Sequence, residues 1–255
     1  MEAELYTKKN ERWGGELILT AKKVIDRDKS MERMLIKKLK SLSDPKALAG
    51  MATFGINPKN AYGVSIPVLR KMAKQTGQNH LLAQKLWNSG IHEARILAGM
   101  IDVPEEMTER QMEKWVKDFD SWDVCDQVCS NLFDQTKFAY QKAIDWSGRG
   151  EEFVKRAGFV LMAALSVHDK NASDKEFLKF LSIIKRGTFD ERNFVKKAVN
   201  WALRQIGKRN LSLNQVAIKT AKEIQGINSK SAKWIASDAI RELTSVAVRK
   251  RLQRG

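Results

Sequence analysis

The segment Ser121–Phe133, SWDVCDQVCSNLF, puts a carboxylate one helical turn from an indole. Asp126 follows Trp122 by four residues, and side chains at that spacing meet on one helix face. The spacing predicts a helix opening at Asp120 or Ser121, either able to cap free N–H groups, with Asp123 in the positive first turn. On a 100° wheel Val124, Cys125, Val128, Cys129 and Leu132 form an apolar arc, and Asp123, Gln127, Ser130, Asn131 and Asp134 lie opposite. Asp126 belongs to neither group and falls at the margin of the arc. A carboxylate against an indole at the rim of a core is either half of a structural ion pair or a group that takes part in chemistry. Spacing alone leaves both open.

Two further residues stand out by type and place. In the stretch 190–207, Val195, Val199, Ala202, Leu203 and Ile206 share the core arc, whereas Trp201 points away from it among Lys197, Arg204 and Lys208, with Asn193 and Asn200 close by. Large aromatics normally follow the apolar stripe. An indole among cations suits a surface that stacks on sugar and base while the cations hold phosphates, or else packing on a neighbouring helix. Arg156, with Lys155 beside it, opens an almost wholly apolar helix. It can pair with Asp126 or Asp123, or emerge and hold a phosphate.

Nearly every segment that must position these residues has helical period, and almost none alternates as a strand would. Helices are expected over 14–28, 31–42, from Asp44-Pro45 to about Gly55, from Ser65 through VLRKMAKQ, and over 80–88 and 92–102. The loop 57–65, with Pro58, Asn60 and Gly63, separates two of them. Pro104 with Glu105 and Glu106 is expected to start the next helix, followed by 121–133, 136–146 and 151–168, the last apolar almost all round beyond Ala157 and therefore central. Four more span 173–184, 190–207, 212–224 and 229 to about 249. Antiparallel pairs recurring at roughly 35–45 residues are the rhythm of a HEAT or armadillo-like solenoid. The expected architecture is thus an all-α superhelix whose second helices form one concave face. Its parts are an N-terminal helical extension (1–30), one repeat domain (31–250) and a basic tail (251–255).

Composition narrows the function. The 255 residues carry 46 Lys and Arg against 30 Asp and Glu, a net charge of +16, with pI near 9.8. The excess is spread through helices, as in Lys37-Lys38, Lys185-Arg186 and Lys208-Arg209, which suits a folded surface for a polyanion such as nucleic acid. No run of about 18 apolar residues occurs, so no membrane span is expected, and the charged N-terminus does not resemble a signal peptide. The two cysteines lie one turn apart, and His80, His92 and His168 have no metal-ligand spacing around them. Neither cofactor nor metal is expected, and a reducing, cytoplasmic setting fits.

Read together, these strings resemble the DNA alkylation repair glycosylases of the AlkD type, helical proteins of HEAT-like repeats that remove alkylated purines from duplex DNA. The resemblance covers roughly residues 31–250. It rests on FGI and AYGVSIPVLRKMAK within 54–74, SWDVCDQV (121–128), VKRAGFVLMAAL (154–165) and FVKKAVNWALRQIGKR (194–209), in that order. It implies a catalytic aspartate at Asp126, active-site tryptophans at Trp122 and Trp201, and the arginine after the catalytic helix at Arg156. The N-terminal 30 residues and the segment 228–245 depart from the pattern.

Such a reaction develops positive charge on the deoxyribose, which a nearby carboxylate stabilises. A purine alkylated at N3 or N7 is already cationic and leaves as a neutral base, so no strong general acid is required. Trp122 and Trp201 would wall the sugar and attract the lesion through their π faces. Lys155, Arg156, Lys197, Arg204 and Lys208 would hold the backbone of double-stranded DNA, with the protein acting as a monomer. The competing expectations are a helical-repeat scaffold that binds nucleic acid without chemistry and one that binds an acidic protein.

Overall fold

A computed structural model describes residues 26–254, in which helices and their connections account for the whole architecture and no strand occurs among the described residues. The helices are α1 (26–41), α2 (Pro45–Thr53), α3 (Ile66–Thr76), α4 (His80–Asn88), α5 (His92–Ile101), α6 (Glu109–Lys117), α7 (Trp122–Asn131) and α8 (Ala139–Ser147). They continue with α9 (Glu152–His168), α10 (Asp174–Gly187), α11 (Asn193–Gly207), α12 (Leu211–Gln225), α13 (Lys230–Leu243) and α14 (Val246–Leu252). A 3-10 turn, Phe133–Gln135, follows α7. Among the described residues no helix is long and apolar enough to cross a membrane.

The described residues form two compact units, one comprising 26–49 with Pro58–Asp102, the other Gly50–Asn57 with 103–254. In the first, α5 carries Glu93, which is 1% exposed. Its carboxylate accepts backbone N–H bonds from Tyr62 (2.9 Å), Gly63 (2.6 Å) and Val64 (3.2 Å). A buried carboxylate needs such donors, and the loop gains a fixed path in return. Gly63 sits there at φ 77°, where a Cβ would come within 2.6 Å of the Asp44 carbonyl oxygen. That accounts for the AYGV string at 61–64.

The second unit is two rows of helices. Cys125 Sγ points to the Phe153 carbonyl and Cys129 Sγ to that of Ala157, so α7 and α9 run parallel. Arg156 reaches the Phe194 carbonyl, Asn200 reaches Asp238 and Arg204 reaches Glu242, each pair separated by 38 residues. These contacts align α9, α11 and α13 in one parallel row. Lys185 and Glu223, on α10 and α12 of the other row, show the same separation. A recurring step of 38 residues is the repeat anticipated at 35–45, carried by geometry rather than by letter identity. Helix α9 is the axis of the unit. Phe159, Val160, Leu161, Met162 and Ala163 have no exposure, as expected for a helix apolar all round.

Several boundaries differ from expectation. Helix α1 is unbroken over 26–41, so the chain is helical across the anticipated join near residue 30. The rest of the helix expected over 14–28 lies outside the described residues. Helix α6 starts at Glu109 rather than after Pro104, because the Thr108 hydroxyl accepts the Gln111 N–H (3.1 Å) and caps it there. The stretch 136–146 begins in a turn and becomes α8 only at Ala139. The helix expected from 229 to about 249 is two, since Ser245 caps a new one through Val248 N–H (3.3 Å). Because α14 ends at Leu252, Arg251 is helical.

Candidate active site

Helix α7 begins at Trp122 with Ser121 at its N-cap. The Ser121 hydroxyl donates to Asp123 (2.8 Å) instead of capping the helix, and Asp120 accepts the side-chain amide of Asn57 (2.9 Å). The Trp122 indole N–H donates to the Phe54 carbonyl at 3.0 Å. The next residue, Gly55, has φ 71°, and a Cβ on it would lie 2.5 Å from the tip of the Phe194 ring. Phe194 also meets Phe153, with ring centroids 5.6 Å apart. The FGI turn thus holds the indole with one residue and receives Phe194 with the next. This is a physical reason for glycine at position 55.

One turn after Trp122 stands Asp126, with its side chain 16% exposed. Arg156 approaches it edge-on: Nε donates to one carboxylate oxygen at 2.9 Å and Nη2 to the other at 2.8 Å. Nη1 donates to the Phe194 carbonyl at 2.5 Å. The Arg156 side chain is 6% exposed, and its guanidinium carbon lies 6.0 Å from the Trp122 ring centroid, at the outer reach of a cation–π contact. Burial pushes the Asp126 carboxyl above the ordinary carboxylate range, opposed by the charge and hydrogen bonds of Arg156. Asp123 adds a smaller push in the same upward direction. Burial works against the Arg156 charge, but Asp126 outweighs it and raises the guanidinium further. The sequence left Arg156 open between a partner carboxylate and a phosphate, and the structure gives it to Asp126.

A carboxylate carries about four acceptor positions, of which Arg156 occupies two. The remainder can meet a water or a sugar. A largely buried, oriented anion acts on a nearby developing cation far more strongly than one in bulk water.

Trp201 lies on α11 and is partly buried. It follows Phe194 by seven residues, which places it on the same helix face about 10 Å further along the axis. Lys197 lies between them and is exposed, without an ion-pair partner among the described residues. The other expected phosphate holders meet carboxylates. Lys155 pairs with Asp190 at 3.0 Å, Lys208 pairs with Glu242 at 2.6 Å, and Arg204 pairs with Glu242 and lies 3.6 Å from Asp238. Asn200, grouped with Trp201 on the wheel, is 2% exposed and donates to Asp238 (2.6 Å). Helix α13 therefore draws two of those cations and Asn200 to itself, 34 to 38 residues away in sequence. Sequence reasoning also missed Phe54 and Phe194, whose contributions to the site include backbone carbonyls. Among the described residues no group of three His, Cys, Asp or Glu side chains is placed to hold a metal ion.

Comparison with solved structures finds a similar fold in a protein described as one of a new family related to the HEAT-like repeat DNA glycosylases, with affinity for branched DNA structures. The TM-score is 0.71 at 21% identity, covering 86% of this chain and 95% of that one. At that identity the likeness speaks to the fold alone. A designed armadillo repeat protein in complex with the peptide (KR)4 aligns with a TM-score of only 0.32, at 15% identity over 72% of this chain and 88% of that one, too low to bear on the argument. Comparison with curated proteins gives no match. The model of the family described as DNA alkylation repair enzyme matches residues 35–243, most of the length of the chain, and the chain belongs to that family.

Proposed function

We propose that this protein is a monofunctional DNA glycosylase that hydrolyses the N-glycosidic bond of N3- or N7-alkylated purines in duplex DNA. The observation that carries the reading is the Asp126 carboxylate, largely buried, oriented through both oxygens by Arg156, and one turn from an indole that is itself anchored to Phe54. As the bond breaks, positive charge grows on the deoxyribose, and Asp126 stabilises it and positions the attacking water. The alkylated purine departs as a neutral base, so the site needs no second carboxylate as acid. Trp122 flanks the sugar, and Trp201 on α11 supplies a second π face toward the cationic lesion. Arg156 positions Asp126 rather than gripping a phosphate. Lys197, exposed four residues before Trp201, is the backbone contact on that helix. The protein acts as a monomer.

A second reading has a specific observation in its favour: both Asp126 oxygens are engaged by Arg156, the geometry of a structural ion pair. On that reading the protein binds DNA without excising a base. Duplex DNA treated with a methylating agent separates the two. Wild-type protein is expected to release free 3-methyladenine and 7-methylguanine, and Asp126→Asn to release neither. Wild-type protein that binds this DNA and releases no base would establish the second reading.

A further inference from the structure

The tryptophans of the second unit range from fully buried to exposed. Trp115 and Trp146 are buried, whereas Trp234 on α13 is 42% exposed. The Lys196 ammonium lies 5.2 Å from the Trp234 ring centroid. Lys230, Lys233, Ser237 and Arg241 share the exposed side of α13 with it, and the adjacent Lys197 is exposed on α11. The nearby acids are committed elsewhere. Asp238 holds Asn200 and Arg241, and Glu191 accepts from Ser229. What remains is an indole with one cation over it and free lysines around it, on the same row of helices as Asp126.

An exposed indole among cations is costly as mere decoration, since apolar area stays in water and the lysines repel one another. The combination fits a strand of nucleic acid: the ring stacks on a base while the ammonium groups meet the flanking phosphates. Spacing separates this indole from the lesion, and the stacking within a duplex decides which kind of base it can meet. From α7 to α13 is three helix steps, roughly 25–30 Å at 8–10 Å per step. At 3.4 Å rise per base pair that is about eight base pairs along a duplex. Trp234 is therefore too far from Asp126 to touch the lesion. Bases within a continuous duplex are stacked on one another and offer no free face at such a distance.

We infer that Trp234, with Lys196, Lys230 and Lys233, forms a second DNA-binding site that stacks on an unpaired nucleobase, giving the protein a preference for duplexes that carry a single-stranded flap. The inference rests on the reading that this row of helices faces DNA, and it requires no base excision.

The test uses the whole protein and undamaged DNA, titrated by fluorescence anisotropy at one ionic strength with a plain duplex and with the same duplex bearing a short flap. Wild type binds the flapped duplex more tightly. Trp234→Ala and Trp234→Leu lose roughly tenfold on the flapped duplex, the loss of one stacked base, and change by less than about twofold on the plain one. Trp234→Phe retains most of the preference because it keeps a π face. Leucine preserves the apolar bulk, so its loss would not reflect misfolding, and thermal melting of each variant checks this. Equal wild-type binding to both DNAs, or an equal loss on both by Trp234→Leu, overturns the inference. Protein that prefers flapped DNA yet releases no methylated base leaves the inference standing and removes the glycosylase reading. Protein that binds neither DNA overturns both.

Discussion

Asp126 and Arg156 share two parallel hydrogen bonds of 2.9 and 2.8 Å, and the remaining guanidinium nitrogen is fixed by the Phe194 carbonyl of the next helix in the row. Three helices thus set the direction of one carboxylate. Burial raises the Asp126 carboxyl and Arg156 opposes the rise. Activity that needs the ionised form is present at high pH and lost as pH falls through this raised value.

Arg156→Ala removes the opposing charge, so burial and the smaller push from Asp123 are left unopposed and the acid limb of base release is expected to move to higher pH. At neutral pH the loosened carboxylate also costs about a hundredfold in rate. Rates of 7-methylguanine release across pH measure both. An acid limb that stays in place in Arg156→Ala would show that Asp126 ionisation does not control the reaction.

The same pair yields a stability prediction. Asp126→Leu leaves the buried guanidinium without its partner and costs roughly 3–5 kcal/mol. Asp126→Leu with Arg156→Met replaces the pair by apolar side chains and regains most of that loss. Urea denaturation reads the stability. The double variant, folded but without the carboxylate, releases no methylated base, and residual release would remove Asp126 from the chemistry.

What could be read from the sequence followed from relations within one helix. The four-residue step from Trp122 to Asp126 and the all-round apolar α9 are periodicities, and both reappear in the structure, whereas Trp201, expected to point outward, is partly buried. Relations between helices left weaker traces. A wheel drawn for α11 shows Arg204 and Lys208 beside Trp201, but Glu242, which claims both, lies 34 to 38 residues on. The Phe54 and Phe194 carbonyls bear no side-chain signature at all. Glu93 illustrates the same limit in the first unit. As one acid within HEARILAGMID it reads as ordinary surface, yet it is 1% exposed and orders the loop at 62–64. The helix start at Glu109 was within reach, because Thr108 followed by Gln111 is a capping pattern that outweighs the proline at 104.

Asp190 joins the ends of α9 and α11. Burial would raise its carboxyl, but hydrogen bonds from Arg192 (2.7 Å) and Lys155 (3.0 Å) outweigh that and hold it down to about 2. A carboxylate depressed on folding contributes stability above its unfolded value, near 3.9, and loses it as pH falls toward 2. The contribution is roughly 1–2 kcal/mol after solvent screening. Asp190→Asn is therefore less stable than wild type by that amount at pH 7. The gap closes between about pH 4 and 2, as urea titrations at several pH values will record.

Trp122→Phe keeps an aromatic six-membered ring but removes the pyrrole ring and with it the indole N–H that meets the Phe54 carbonyl at 3.0 Å. The lost bond costs about 1 kcal/mol of stability. On the proposed glycosylase reading the smaller, freed ring no longer flanks the sugar at a fixed angle, and base release is expected to fall by roughly tenfold or more. Melting temperature and single-turnover base release separate the two effects. A variant with the stability loss and full activity would confine Trp122 to packing.

Gly158 follows Arg156 by two residues on α9, where the helix passes close to the end of α8. A Cβ at this position would stand 2.8 Å from the Ser147 Cα and 2.9 Å from the Trp146 carbonyl carbon. Both neighbours are backbone, and Trp146 beneath them has no exposure, so no flexible side-chain end can yield. Gly158→Ala must part α8 from α9. Overpacking of this kind costs about 1–3 kcal/mol, and the gain in helix propensity from alanine, about 1 kcal/mol, offsets only part of it. Because α9 carries Arg156, the displacement also passes to the Asp126 pair. Gly158→Ala is expected to lower the melting temperature and to reduce base release at temperatures where it is still folded, whereas Gly150→Ala, in the preceding turn with open space around it, is expected to leave both unchanged. Equal behaviour of the two variants would mean that α8 and α9 are not held as closely as this geometry requires.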